Sequence, residues 1–211
     1  MAKTKNGLTG SVSGKVGNLV FCTWKGIEYV RLAPSKRSGV PSKKELANRW
    51  IFGELTQGWI KPISPFLKIG FQGYTPTNQG ITAAKSYLYK HALTMDGFNS
   101  SIDPSKMLVS YGSLGNPEDV QITLNPQKEL VFTWNPATGR DQSQRDQAML
   151  LAYNIEKESA VMSLGGEFRS TGTEKLELAS ATPGDFHVYL AFLAQDRSRQ
   201  SESLYLGTVT V

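Results

Sequence analysis

From Lys106 onward, short β-rich runs alternate with turn signals, and this rhythm constrains the fold more than any other feature of the chain. The runs cover residues 107–110, 120–124, 129–134, 148–154, 159–164, 175–178, 186–194 and 204–211. Between them fall Asn125-Pro126, Asn135-Pro136, Gly165-Gly166 and Pro183-Gly184. Proline removes a ladder donor and glycine admits turn conformations, so such pairs end strands. Regular short strands with this punctuation predict a two-sheet antiparallel sandwich. Side chains alternate along a strand, so Leu130, Phe132 and Trp134 share one face. In the same way Phe186, Val188, Leu190 and Phe192 share a face, with His187 and Tyr189 opposite. Trp134, Phe132, Val188 and Phe192 are therefore the expected core anchors.

The preceding half reads differently. Gly7, Gly10, Gly14 and Gly17 are interleaved with Ser and Lys, which predicts an extended arm or irregular strand over residues 1–17. Residues 18–24 (NLVFCTW) and 27–32 (IEYVRL) flank Lys25-Gly26, the spacing of a tight hairpin. A loop over residues 33–41 follows. Ser42-Lys43-Lys44-Glu45 then has the form of a capping box opening a helix. Leu46, Trp50, Ile51, Leu55 and Trp59 recur at near-helical spacing until Pro62 and Pro65. Phe66, Leu67, Ile69 and Phe71 make an apolar knot broken by Gly70 and Gly73. Thr77-Asn78 caps a second predicted helix to about residue 93, with Ile81, Ala84, Leu88 and Ala92 on one face. Both helices are short and need a surface to pack on. The expected class is thus mainly β with a small helical part: an α+β unit over residues 1–106 and a sandwich over 107–211.

Charge divides along the same line. Residues 1–106 carry 15 Lys and Arg against 5 Asp and Glu, a net +10, while residues 107–211 carry 8 against 13, a net −5. Such a chain can attract its own copies head to tail or offer a basic face to a polyanion. Cys22 is the only cysteine, which excludes an internal disulfide and a cysteine-rich zinc site, and it is expected to be buried. The first residues contain no apolar signal-peptide core, and no stretch reaches the roughly 18 apolar residues of a membrane span. Synthesis in the cytoplasm is expected, with release inside an assembly compatible with it. No cofactor is expected.

Candidate chemistry is thin. Gly10-Ser11-Val12-Ser13-Gly14-Lys15 has the wrong glycine spacing for a phosphate loop, and Val16 stands where Ser or Thr would hold magnesium. His91 and His187 are the only histidines. Asp185 lies two residues from His187, a possible ion pair along one strand face, but no nucleophile elbow accompanies it. Lys3, Lys5, Lys15, Lys25, Arg31, Lys36, Arg37, Lys43, Lys44 and Arg49 face only Glu28 and Glu45 in the first fifty residues, with Trp24, Tyr29 and Trp50 among them. Cations interleaved with aromatics can hold phosphates and stack bases. Lys15, Lys25, Arg31, Lys36, Arg37, Lys43 and Lys44 are the candidate assembly interface.

Two resemblances follow. The C-terminal strand pattern resembles a fibronectin type III or immunoglobulin-like domain without the disulfide. Across its full length the chain resembles an uncharacterised family of Bacteroidota proteins. The matching pieces include Ser13-Gly14-Lys15-Val16-Gly17, Trp24-Lys25-Gly26-Ile27, Ile69-Gly70-Phe71, Tyr111-Gly112-Ser113-Leu114, Phe132-Thr133-Trp134, Arg169-Ser170 and Leu204-Tyr205-Leu206-Gly207. The resemblance implies that the two halves form one recurring unit and brings no activity. The expected function is a non-enzymatic structural protein whose basic N-terminal unit meets the acidic sandwich of a neighbouring copy. Nucleic-acid association through the basic surface is the second reading, and a monomeric protein-binding adaptor the third.

Overall fold

The computed structural model describes residues 3–4, 10–24, 26–36, 39–75, 78–96, 99–137, 139, 141–178 and 181–211. The chain forms two compact units, Met1–Ser42 and Lys43–Val211. The division lies well before the 106/107 boundary expected from charge and rhythm. The physical reason is a shared core: the helical segment buries its apolar side chains against strands of the C-terminal half.

The first unit is a four-stranded antiparallel sheet in the order β1-β2-β3-β4, with β1 at Lys3–Thr4, β2 at Val12–Val16, β3 at Leu19–Trp24 and β4 at Ile27–Leu32. Much of the expected arm is thus regular strand. The β3–β4 hairpin pairs Trp24 with Ile27. Gly26 sits at φ +81°, the left-handed conformation that a two-residue turn needs. Lys25, the first residue of the expected turn, lies outside the described residues. Ala33 N–H donates to the Asn18 carbonyl at 2.7 Å and closes the ladder.

The second unit opens with α1 (Lys43–Glu54), which runs on through a wider turn at Leu55–Ile60. Then come α2 (Ser64–Gly70) and α3 (Gly80–His91). The apolar knot of the sequence is α2, with Phe66 and Leu67 fully buried. A hairpin of β5 (Leu93–Asp96) and β6 (Asn99–Ile102), not foreseen from the sequence, follows α3. Seven strands remain: β7 (Gln121–Leu124), β8 (Glu129–Thr133), β9 (Gln147–Asn154), β10 (Ser159–Ser163), β11 (Thr173–Glu177), β12 (Asp185–Leu193) and β13 (Leu204–Thr210). They form two antiparallel sheets, β11-β8-β7 and β10-β9-β12-β13. The fourth of the seven, β10, thus pairs with the third, β9, rather than joining the sheet of the first two.

Phe132, Trp134, Leu150, Val188, Leu190 and Phe192 fill the space between the sheets. Trp134 is 5% exposed, donates its indole N–H to the Arg169 carbonyl at 2.8 Å, and meets Phe192 edge-on at 5.3 Å. The opposite face of β9 and β12 is also buried. Met149, Leu151, Tyr153, Tyr189, Ala191 and Leu193 pack against Leu55, Ile60, Phe66, Phe71 and Leu88 of the helical segment. The Tyr153 hydroxyl donates to the Trp59 carbonyl at 3.0 Å, and the Tyr189 hydroxyl to the Pro104 carbonyl at 2.8 Å. This unit is therefore three layers: helices, sheet, sheet.

Residues 107–110 are not a strand, contrary to expectation. Serine side chains and neighbouring loops take up their backbone groups. Val109 N–H donates to Ser203 Oγ, and the Ser110 carbonyl accepts from Ser203 N–H, both at 3.0 Å. The next residue, Tyr111, donates its N–H to the Gly70 carbonyl. The segment is largely buried and bends at Val109, and no residue of it is in a strand.

Candidate assembly surface

A single-layer sheet has two faces, and register decides what each carries. Residues directly opposite on neighbouring antiparallel strands share a face. Lys15 lies opposite Val20, which lies opposite Arg31; Cys22 faces Tyr29 and Trp24 faces Ile27. One face therefore combines two cations with Trp24, Tyr29, Ile27, Val20 and Cys22. On the other, Val16, Leu19 and Leu32 form one cross-strand row, and Gly14, Phe21 and Val30 form the next. Thr23 and Glu28 end that face. Its acid is thus turned away from Lys15 and Arg31.

Neither face is well covered. Every residue of β4 is exposed, Leu32 to 73%, and Val16, Leu19, Trp24 and Tyr29 are exposed as well. Half-burial is reached by Val20, Phe21 and Cys22 in the central strand and by Val12 and Gly14 of β2. Cys22 is therefore a half-buried free thiol rather than the fully buried one expected. A sheet with a hydrophobic face gains independent stability when another layer packs on that face.

The candidate interface residues are divided between the two units. Lys15 and Arg31 share the mixed face, and Lys36 is exposed in the loop beyond β4. Lys25 and Arg37 lie outside the described residues. Lys43 and Lys44 open α1, in the second unit. Along that helix and the turn after it, Leu46, Trp50 and Phe52 are exposed while Ile51 and Leu55 are buried, so α1 carries apolar side chains outward along much of its length. Arg49 pairs with Glu45 at 2.9 Å, and Lys85 lies 5.6 Å over the Phe52 ring. Sequence reading identified the cations but missed the apolar rows. Their only signal was an apolar residue at almost every position of β3 and β4, where alternation would have marked a covered face.

Several titratable groups elsewhere have structural partners. Asp185 and His187 do not form the expected ion pair: His187 Nδ1 lies 3.2 Å from the Tyr205 hydroxyl and 3.1 Å from Thr208 Oγ1, and Asp185 accepts from Thr210 Oγ1 at 2.6 Å. Burial pushes the His187 imidazole below its usual range, with Asp185 opposing. His91 is exposed and lies 4.4 Å from the Tyr87 ring. Burial raises the Glu174 carboxyl, which accepts from Ser163 Oγ and Glu167 N–H. The core anchors Phe132, Trp134, Val188 and Phe192 all lie between the sheets. Among the described residues, no group of three or more His, Cys, Asp or Glu is placed to hold a metal ion. No described helix is long and apolar enough to cross a membrane.

The chain belongs to the family of unknown function designated DUF6266, which it matches over residues 11–207. That span includes β2–β4 of the first unit and nearly all of the second, so the two occur together in the family. No curated protein and no solved structure matches the chain.

Proposed function

We propose that the protein is a non-enzymatic structural subunit that assembles head to tail with its own copies. The observation that carries this reading is the uncovered apolar face of the first unit, the Val16–Leu19–Leu32 row with Phe21 and Val30 beside it. A neighbouring copy is the occupant that charge favours. Residues 1–42 carry seven cations against Glu28 alone, a net +6, whereas residues 107–211 carry −5. Opposite net charge steers the two units together at a distance, and burial of the apolar rows, on the face away from Lys15 and Arg31, supplies the affinity. Because the two surfaces differ, the contact is heterologous and repeats into a filament, tube, lattice or closed ring, as its rotation dictates.

Electron microscopy and size measurement at several salt concentrations test this. Wild type should give assemblies that shrink as salt rises. Val30→Asp with Leu32→Asp, and separately deletion of residues 1–42, should leave monomers that retain the β signature of the second unit. Full burial of one leucine is worth about 1.5–3 kcal/mol, so losing Leu32 alone corresponds to roughly 10- to 150-fold in association. A wild type that stays monomeric at low salt and high concentration, or assemblies indifferent to the deletion, would overturn the reading.

A further inference from the structure

The sheet that offers an apolar face to a neighbouring copy has a second face of different chemistry, and this second argument does not depend on the first. We propose that the mixed face of β2–β3–β4 binds single-stranded nucleic acid. Its recognition elements are Lys15 and Arg31 for phosphate and Tyr29 and Trp24 for bases.

Four observations converge. Lys15 and Arg31 flank Val20 across three adjacent strands, which sets two cations in one row. Tyr29 stands two residues from Arg31 on β4, one side-chain step of about 7 Å along the same face. Trp24 lies on that face of β3, diagonal to Tyr29 through its pairing with Ile27. Both rings are exposed, as are Lys15 and Arg31. The one acid of the unit, Glu28, points from the other face, so nothing on this one repels phosphate. A flat platform that alternates exposed rings with cations is how proteins hold unpaired strands: the rings stack on bases of any sequence and the cations follow the backbone. A duplex buries its base faces in its own stack and has less use for the rings.

An anionic membrane surface is the competing occupant. It would favour cations beside the larger apolar set, as on an amphipathic surface element. Here the register separates them. Val16, Leu19, Phe21, Val30 and Leu32 lie on the face that lacks Lys15 and Arg31. Nucleic acid is the partner that the mixed face fits.

The test is fluorescence anisotropy with labelled single-stranded DNA and RNA oligonucleotides and the full chain. Unlabelled duplex, heparin and phosphatidylserine vesicles serve as competitors. Wild type should prefer single strands to duplex. Two phosphate contacts imply a salt slope near −1.4, so affinity should fall about sevenfold or more between roughly 50 and 200 mM salt. Tyr29→Ala should weaken binding by roughly tenfold and remove the preference over duplex, since it deletes one stacking ring. Lys15→Gln with Arg31→Gln should flatten the salt dependence, while Lys61→Gln, in the second unit, should change neither readout. Sizing in parallel shows whether assembly persists, which separates loss of this face from loss of the apolar one. The proposal is overturned if no oligonucleotide binds. It is equally overturned if heparin or vesicles compete as well as single strands, or if Tyr29→Ala binds like wild type.

Discussion

Arg169 is the residue whose replacement should cost the second unit most. It begins a short turn, Arg169–Thr171, and is fully buried beside Asp146, which is 1% exposed. Its Nε lies 3.4 Å from Asp146 Oδ2, and its Nη2 donates to the Gly115 carbonyl at 2.9 Å. The guanidinium also lies 4.2 Å from the Phe192 ring. Burial pulls the guanidinium below its ordinary range, and Asp146 opposes that pull. Arg169→Met keeps the apolar stem and removes the charge. Asp146 would then retain the Ser143 N–H as a hydrogen-bond donor to its side chain. Leaving one partner of a buried pair uncompensated costs about 3–5 kcal/mol. With a urea m-value of about 3 kcal/mol/M, the midpoint should fall by about 1–1.7 M at unchanged slope. Asp146→Asn should do comparable harm by stranding the guanidinium. The double variant should be less destabilised than the sum, by about 1–3 kcal/mol, because neither charge is then left alone. A loss under about 1 kcal/mol for Arg169→Met, or strict additivity in the double variant, would refute the assignment of this pair as an interdependent buried unit.

Two further outcomes follow from packing and titration. A Cβ on Gly112 would run into the Gln200 carbonyl, so Gly112→Ala should cost about 1–3 kcal/mol in thermal or chemical unfolding, whereas Gly53→Ala, with open space around it, should not destabilise. The His187 imidazole is lowered from its ordinary value near 6.5, so the unfolded chain binds the proton more tightly. Its contribution is therefore fully present above about pH 6.5 and is lost as pH falls through that value toward the folded one. The stability gap between wild type and His187→Gln should narrow from pH 7.5 to 5.5, and a gap that widens would contradict the sign.

Much of the second unit was legible because strand alternation survives in the sequence. Leu130, Phe132 and Trp134, and Phe186 through Phe192, alternate into one core as their spacing predicts. The helical layer was less legible. On β9 and β12 both parities are apolar, so periodicity alone cannot say that Tyr153 and Tyr189 meet helices. Residues 107–110 look like a strand because they are mostly apolar. They fail to become one because Ser203 takes the Val109 N–H on its side-chain Oγ and gives its own N–H to the Ser110 carbonyl. The boundary at 106 followed charge, which tracks the surface, whereas compactness follows the core. For the candidate surface, the cations could be read directly, but their division between faces required the register of β2, β3 and β4. That register is set by the turns at Gly17-Asn18 and at Gly26, one residue of slip in which would exchange the faces.

The sheet buried on both sides also constrains how the chain is made. Tyr153 reaches the Trp59 carbonyl across 94 residues, and Val109 reaches Ser203 across the same separation. Translation emits about 5–20 residues per second, so the helices leave the ribosome about 5–19 s before the strand that covers them. Through that interval Leu55, Phe66, Phe71 and Leu88 have no β9 or β12 to meet. Contacts this distant in sequence also slow the final search. The nascent helical segment is thus the stage at which this chain most needs a chaperone, and a ribosome stalled before residue 147 should present it as a captive chaperone substrate.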